Sequence, residues 1–244
     1  MIRLQGVVLR SMDLGENDKI VTIFTDKLGK IDAVAHGVRK SKSKQASSIL
    51  PFCYGEYVVY KGQSLYTISQ TEIRESFQRI IMDLDYLTYG SYFLELFDVL
   101  NEKECPNVSM LSLLLKTLYV MINTEVKLPL LRLVVDFKAV SIAGYLPRIG
   151  VCGDCRQRTA SGYFSIENGG IYCSNCRPQS FCYNISEENM ELLREIKNIK
   201  LENITNIKYN QENIEYLQNI VARYIMFHAD RELKSISFIN QINQ

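Results

Sequence analysis

Four of the seven cysteines have the residue type and the spacing of a metal site. They are Cys152, Cys155, Cys173 and Cys176. Each CxxC pair can present two thiolates from a tight turn, and Gly153 favours the first turn. Zn²⁺ accepts four thiolates in a tetrahedron, and a site filled by protein leaves no position for water or substrate. Residues 162–166 and 169–172 are predicted to form a hairpin between the pairs. The pattern predicts one structural zinc ion in a zinc-ribbon-like module.

Two alternatives remain for these cysteines: four unrelated thiols, or a CxxC redox couple. Two paired motifs at zinc-site spacing, without a thioredoxin-like context, favour the metal. Cys53, Cys105 and Cys182 have no partner at such spacing and are interpreted as buried thiols, although Cys182 is close enough to be an alternative ligand. An odd number of cysteines fits a reducing cytosol better than a disulfide framework does.

The second chemical signal is a run of cations in residues 36–44. Its cationic residues are Arg39, Lys40, Lys42 and Lys44. The run contains no acid and is too polar to be core, so it is predicted to be an exposed loop. Flexible cations and hydroxyl groups bind phosphate oxygens without reading a base sequence. The alternative is a solvated loop without function, but its position on a predicted barrel, where such folds grip nucleic acid, favours a DNA contact.

Other chemistry is sparse. The two histidines, His36 and His228, form no Ser/His/Asp arrangement, and no Walker loop, GxGxxG or HExxH motif occurs. These observations favour a protein that is not an enzyme. Five aromatic residues of the N-terminal region could stack bases, although most are interpreted as core. They are Phe52, Tyr54, Tyr57, Tyr60 and Tyr66.

The elements that must position these residues fall into two kinds. Five short runs rich in Val, Ile, Tyr, Phe and Thr predict strands, with turn residues between them and one long interruption. They are residues 5–10, 19–25, 30–35, 55–61 and 64–69. Their number and length suit a small closed OB-like barrel better than an open sheet with exposed edges.

From Arg79 onward the apolar residues recur at intervals of three and four, which predicts helices. The start and stop signals include capping acids at Asp83 and Asp85, Pro129 in a first turn, and Gly144 at a helix end. Further helices are predicted over 186–199 and 213–230, and the Asn-rich stretch 198–213 is predicted to be a loop.

Composition is that of an ordinary globular chain, with 47% hydrophobic residues and a net charge of +1. No global field therefore favours nucleic acid or membrane, and any such preference depends on local clustering. The first ten residues do not have the pattern of a signal peptide, and the apolar segments 111–118 and 128–135 fall short of the roughly 20 residues that span a bilayer. We therefore expect a cytoplasmic protein with no membrane partner.

These patterns predict an α+β chain. The expected domains are an OB-fold DNA-binding domain over 1–78, a helical domain in two parts over 79–150 and 182–244, and an inserted four-cysteine zinc module over 151–181.

The chain resembles the RecO family of bacterial recombination mediators along nearly its whole length. Several segments carry the resemblance, and they occur in the family's order. They are 6–10 with 13–18, 21–25 with 27–30, the basic motif 37–42, 131–147 followed by Cys152 and Cys155, and 231–235 with Phe238.

The resemblance implies a function. Members of that family bind single- and double-stranded DNA and anneal complementary strands. They join RecR and help to load recombinase onto DNA covered by single-stranded DNA-binding protein, partly by binding the acidic C-terminal tail of that protein on the helical domain. Arg132 is the candidate for this tail contact, and Val134–Phe137 departs from the sequence of many relatives after that arginine. The resemblance also implies that the protein associates with the nucleoid.

Overall fold

The computed structural model describes residues 1–242 of the chain. These residues form two compact units. Unit 1 contains Met1–Asn123 and the chain from Lys234 onward, and unit 2 contains Thr124–Leu233. Unit 2 is therefore an insertion between two segments of unit 1.

Unit 1 is built on a closed five-stranded barrel. Its strands are β1 (Ile2–Leu14), β2 (Asp18–Thr25), β3 (Gly29–Ala35), β4 (Tyr54–Lys61) and β5 (Tyr66–Glu75). The order around the barrel is β1-β2-β3-β5-β4, and β4 pairs back with β1. All neighbours are antiparallel except β3 and β5, which pair in parallel through Ala33 with Tyr66 and Val34 with Thr67. The prediction of a five-stranded OB-like barrel is confirmed.

The barrel has apolar residues on both faces of its first two strands. Val8 and Ile23 belong to the interior core. Val7 and Phe24 are cross-strand partners that alternate with those residues, so they point outward, yet both are fully buried. Helices cover this outer face: α1 (Leu84–Leu100) contacts β1, and α2 (Val108–Asn123) contacts β1 and β2.

A buried charge pair helps to hold α1 on the barrel. The Lys30 side chain on β3 is 4% exposed, and its Nζ lies 2.9 Å from Asp98 Oδ1 on α1. The same ammonium donates to the backbone carbonyl of Asp98. Lys103, just beyond α1, lies 2.6 Å from Asp32 of the same strand. These contacts make the barrel, α1 and the segment after it one structural unit.

A short helix, α6 (Ser235–Ile242), completes unit 1 by packing against α1. The Glu95 carboxylate on α1 accepts hydrogen bonds from the backbone N–H groups of Lys234 and Ser235 at 2.9 and 2.8 Å, and from the Ser235 hydroxyl. Ile239 is fully buried. The chain that leaves unit 1 after α2 thus returns to it at α6.

Unit 2 combines three helices with a small sheet. The helices are α3 (Leu128–Ile142), α4 (Glu187–Asn198) and α5 (Gln211–Ala229), and α3 contacts both of the others. The sheet has the order β7-β6-β8, with β6 (Gly162–Ser165), β7 (Gly170–Tyr172) and β8 (Tyr183–Ile185). The predicted hairpin between the cysteine pairs is confirmed as β6 and β7, which are antiparallel.

Three local signals have the predicted roles. Asp83 accepts hydrogen bonds from Asp85 and Tyr86 N–H and so caps α1. Ser186 caps α4, and Pro129 lies in the first turn of α3. The loop prediction for 198–213 is wrong in part, because Leu201–Asn206 forms a 3-10 helix around the buried Leu201 and Ile204. Within residues 1–242, no helix combines the length and the apolarity needed to cross a bilayer.

Candidate metal centre and nucleic-acid interface

The four cysteines of the two CxxC pairs come together in unit 2. Their Sγ atoms all lie within 4.8 Å of one another, and those of Cys155 and Cys173 are 4.0 Å apart. A tetrahedral zinc ion with Zn–S bonds of about 2.3 Å places its sulfur atoms roughly 3.8 Å apart. The cluster therefore fits a four-thiolate metal ion, and the prediction of a four-cysteine metal-binding group is confirmed. Among the described residues, Cys182 is not part of it.

Backbone contacts hold both pairs in position. The Gly153 N–H donates to Ile171 O on β7 at 2.7 Å, which fixes the first pair to the hairpin that carries the second. A Cβ on residue 153 would lie 2.8 Å from Tyr172 Cζ, so any larger residue here would have to displace the Tyr172 ring. Cys173 directly follows β7, and Cys176 ends a 3-10 turn.

The surroundings of Cys152 and Cys176 shift the pKa values of these two thiols in opposite directions. Burial raises the pKa of Cys152, but backbone N–H groups of Cys173, Asp154 and Cys155 outweigh it and bring that pKa down to about 6. The neighbouring Cys173 thiol is the main cause that raises the pKa of Cys176 to about 12. A bound cation would supply the positive charge that allows all four sulfur atoms to be thiolates.

The basic run forms a loop whose first residues are fixed to the β1–β2 turn. Asp18 accepts from the Gly37 N–H at 2.8 Å, and its other carboxylate oxygen lies 2.7 Å from His36 Nδ1. These two hydrogen bonds lower the pKa of Asp18. The Arg39 guanidinium lies 3.2 Å from Asp13 Oδ2 and donates to Gly15 O at 2.8 Å. We call these contacts, made by Asp13, Gly15 and Asp18, the loop clasp.

The loop is also anchored in the barrel at both ends, because Val38 and Ile49 belong to the barrel core. Between these anchors the structure divides the four predicted cations into two classes. Arg39 is engaged in the loop clasp, whereas Lys40, Lys42 and Lys44 are exposed and make no ion pair with any residue of the described range 1–242. Three ammonium groups are therefore available to an anionic ligand.

The N-terminal aromatic residues are mostly core, as interpreted from the sequence. Phe52, Tyr57 and Tyr66 are buried, and Tyr57 donates to Ser48 O from inside the barrel. Tyr60 is 45% exposed and remains available for stacking.

The unpaired cysteines agree with the sequence interpretation in two cases. Cys53 and Cys182 are buried. The prediction of a buried Cys105 is wrong, because its thiol is exposed. The backbone of Cys105 packs closely against Gly29, the first residue of β3, since a Cβ on Gly29 would lie 2.2 Å from Cys105 O.

Comparison with known proteins assigns the chain to a family. The family described as "Recombination protein O N terminal" matches residues 1–77, and "Recombination protein O C terminal" matches residues 82–236. The chain belongs to the RecO family. This is a family of DNA repair and recombination proteins.

Three relatives named "DNA repair protein RecO" illustrate the similarity. The protein of Alkaliphilus metalliredigens is 34% identical over 95% of this chain and 95% of its own length. That of Clostridium novyi is 33% identical over 100% of this chain and 95% of its own length. That of Clostridium perfringens is 34% identical over 100% of this chain and 99% of its own length. The similarity to RecO proteins therefore covers both units.

Arg132, the residue expected to bind an acidic tail in this RecO-family chain, lies on α3 in unit 2. Its side chain is 4% exposed, and its Nε lies 3.5 Å from Asp136 Oδ2, one turn further along α3. Leu131 beside it is fully buried. A peptide carboxylate would therefore compete with Asp136 for the guanidinium, and the role of Arg132 stays a prediction.

The loop clasp is the part of the RecO-family site that sequence reasoning missed. Sequence reasoning placed Asp13 and Asp18 only in segment 13–18, which resembles the family, whereas Arg39 lies 24 residues after Gly15. The available signal was the opposite charge of two segments, with acids around the first turn and cations in the long loop. That signal is weak, because it becomes specific only when the barrel brings the two segments together.

Proposed function

We propose that this RecO-family chain is a DNA-binding recombination mediator without catalytic turnover. It binds single- and double-stranded DNA, anneals complementary strands, and helps to load recombinase onto DNA covered by single-stranded DNA-binding protein. In this proposal, residues 1–78 form the DNA-binding domain, 151–181 the zinc module, and 79–150 and 182–244 the helical domain.

The observation that carries the proposal is the exposed part of the basic loop on the closed barrel. Lys40, Lys42 and Lys44 are exposed and make no ion pair within residues 1–242, although the Lys40 charge helps to lower the pKa of Asp18, so their ammonium groups are available to a ligand. The two acids of the loop clasp, Asp13 and Asp18, are already engaged with Arg39 and His36. Ammonium groups on a loop fixed at both ends suit phosphate oxygens, and phosphate contacts carry no sequence preference.

The DNA interface is tested by changing Lys40, Lys42 and Lys44 to Ala together. If each lysine neutralises one phosphate, the slope of log K against log salt on single-stranded DNA falls by about 2, from ~0.7 per contact. We also expect slower annealing, because two polyanions must be brought together. Adding Arg39→Ala is expected to change the slope little further. The measurement is fluorescence anisotropy of labelled single strands at several salt concentrations.

A matched control removes the same charge elsewhere, through Lys197, Lys200 and Lys208 changed to Ala, three exposed residues of unit 2. The proposal fails if this control flattens the slope as much as the loop variant does, or if the loop variant keeps the slope and the annealing rate of the unchanged chain.

We propose that the metal is zinc, one ion per chain, held by Cys152, Cys155, Cys173 and Cys176. Bound by four thiolates, the ion crosslinks the two pairs and has no open position, so its role is structural. Chelation is expected to speed amide hydrogen exchange in residues 151–181 while the barrel keeps its protection, since metal binding is coupled to folding of the module. Elemental analysis of freshly reduced protein without any metal would contradict this assignment.

The proposed protein partners are RecR and the acidic tail of single-stranded DNA-binding protein. An arginine can hold a carboxylate through two charge-assisted hydrogen bonds, which supports Arg132 as the tail contact. Calorimetry with a tail peptide tests it, with Arg132→Lys as a variant that keeps the charge but loses the bidentate geometry. Unchanged affinity in Arg132→Lys, with the fold intact, removes the residue from the site.

A further inference from the structure

One row of outward-facing side chains crosses all five strands of the barrel. The pairing register places one residue of each strand in this row: Met12, Ile20, Val34, Thr67 and Tyr60. We call these five residues the barrel strip. On β2 to β5 they alternate along the strand with members of the barrel core, and Met12 pairs with Ile20, so all five side chains point away from the interior. Four of the five are apolar or aromatic.

The barrel strip is exposed, unlike the outward-facing row that α1 and α2 cover. Met12 is 59% and Tyr60 45% exposed, and the other three residues are half-buried. A polar row lies between the strip and the helices, and in it the Thr22 hydroxyl donates to Asp32. Apolar groups that stay in water contribute no burial energy to the fold, so the strip is available to a ligand.

The basic loop begins beside the barrel strip. Asp18 precedes Ile20 by two residues on β2, and His36 follows Val34 by two residues at the end of β3. Two residues of a strand span about 7 Å. Asp18 and His36 contact each other in the loop clasp, and the Lys40 ammonium is near enough to Asp18 to help to lower the pKa of that carboxyl. An exposed apolar row and a group of cations are therefore neighbours on one surface.

A ligand that fits this surface is apolar on one side and anionic on the other. Unpaired nucleotides have this chemistry, because each joins a planar base to a phosphate. Bases stack on aromatic rings such as that of Tyr60 without a sequence preference. Four strand spacings of about 4.8 Å give the strip a length of roughly 19 Å. That length holds a few nucleotides, near the lower end of the roughly 4–16 that one OB fold binds.

We propose that the barrel strip binds the unpaired bases of a single strand whose phosphates lie on Lys40, Lys42 and Lys44. The proposal rests on the proposed function of the basic loop and adds the feature that distinguishes a single strand from a duplex. The loop binds the phosphates of both forms, whereas the strip takes bases that are not already stacked in a duplex. Pairing of the bases removes them from the strip, so an annealed duplex is held by the loop alone and dissociates more readily.

The test uses the full chain with its metal and three labelled probes. They are an oligothymidylate of about 15 nucleotides, an abasic strand of the same charge, and a hairpin duplex. Tyr60→Ala is expected to weaken binding of the oligothymidylate about fivefold or more, because a stacking ring is lost. The salt slope is expected to stay unchanged, because no charge is removed. Affinity for the abasic strand and for the duplex is also expected to stay unchanged.

Two further variants test the chemistry of the strip. Tyr60→Phe keeps the ring and is expected to bind the oligothymidylate like the unchanged chain. Met12→Gln, which keeps the length of the side chain but makes it polar, is expected to weaken binding further when it is added to Tyr60→Ala. Tyr119→Ala is the matched control, since Tyr119 on α2 is 61% exposed and lies outside the strip.

Fluorescence provides a second measurement at the same position. The chain contains no tryptophan, so Tyr60→Trp places a single indole on the strip. Its emission is expected to be quenched by the oligothymidylate and not by the abasic strand. Tyr119→Trp serves as the control and is expected to respond to neither.

The proposal is overturned if Tyr60→Ala weakens binding of the abasic strand as much as that of the oligothymidylate, or if Tyr119→Ala has the same effect. Unchanged oligothymidylate affinity in Tyr60→Ala also overturns it. If that variant then loses binding of an amphipathic acidic peptide, the strip is a protein-docking face instead. Failure of the strip leaves the salt slope of the basic loop and its loss in the lysine variant intact, so it is distinct from failure of the proposed function.

Discussion

Lys30 shows how one buried charge can determine stability. Its ammonium has Asp98 as its ion-pair partner on α1. Asp98→Asn would leave a positive charge buried with only carbonyl and amide oxygens as partners. We expect the free energy of unfolding of the chain to fall by about 3 kcal/mol or more, as for other broken buried pairs. Urea denaturation of both proteins measures the difference.

The exposed acid Glu102 provides the control for that substitution. Glu102→Gln is expected to change the unfolding free energy by less than about 0.5 kcal/mol. The Lys30→Met, Asp98→Asn double variant removes both charges and is expected to recover much of the loss, because a buried pair can be replaced by uncharged groups at small cost. Equal effects of Asp98→Asn and Glu102→Gln would contradict this account.

His228 predicts a pH dependence of stability. Burial lowers its pKa, and its ring stacks on Tyr145 with centroids 4.5 Å apart. The fold thus favours the neutral imidazole, and the unfolded chain binds more protons. Stability contributed by the neutral ring is present above the unfolded pKa of about 6.5 and is lost as the pH falls below it. In metal-loaded protein, His228→Gln is expected to have a shallower loss of unfolding free energy between about pH 7.5 and 5.5. Identical pH profiles for both proteins would show that this ring does not titrate differently on folding.

At the scale of the elements, the loop clasp predicts order in the basic loop. Asp18→Ala removes the acceptor for Gly37 N–H and for His36. We expect faster tryptic cleavage after Arg39 and Lys40 and faster amide exchange at Gly37, because the loop then has more freedom. DNA affinity is expected to fall, since ordering the lysines costs conformational entropy on binding.

Glu16 is the matched control for Asp18, because it is an exposed acid in the same turn. Glu16→Ala removes the same charge but none of the hydrogen bonds of the loop clasp. If both variants are cleaved at the same rate, Asp18 acts only through its charge.

The sequence predicted the elements where local patterns are strong. Runs rich in Val, Ile, Tyr, Phe and Thr, separated by turn residues, located all five barrel strands. Asp83, Pro129 and Ser186 marked helix starts because a cap depends on a few adjacent residues. It did not predict β8, whose three residues form a strand only by pairing with β6. It did not predict α6, which is short and owes its position to Glu95 far away in the chain.

The residues of the candidate site were likewise predictable only where they follow a local pattern. The four cysteines were predictable because ligation of one metal ion imposes a fixed spacing within each pair. The ion pair that sets Arg39 apart from the three exposed lysines was not predictable, since its partner Asp13 lies across a barrel turn.

At the scale of the whole molecule, the grouping of helices was the hardest feature to predict. The apolar Val7 and Phe24 suggest a strand buried in a core, but they do not reveal that α1 and α2 cover the outer face of the barrel. The return of the chain to unit 1 at α6 depends on the same long-range packing.

That return can be tested through Glu95. Glu95→Ala removes the acceptor for the first N–H groups of α6. We expect α6 to lose protection against amide exchange, and the unfolding free energy to fall by about 1–2 kcal/mol, the usual cost of a lost helix cap. Glu102→Gln again serves as the control. Unchanged exchange in 235–242 would mean that Ile239 alone holds the helix.

The insertion of unit 2 has a consequence for synthesis on the ribosome. Roughly 110 residues separate the last residue of α2 from the start of α6. At a synthesis rate of about 5–20 residues per second, α6 is made on the order of 5–20 s after α2, and α1 lacks this partner helix until then. During that interval the α6-binding side of α1 is uncovered on a nascent chain whose barrel can already close. Unit 1 thus begins to fold first and is completed last.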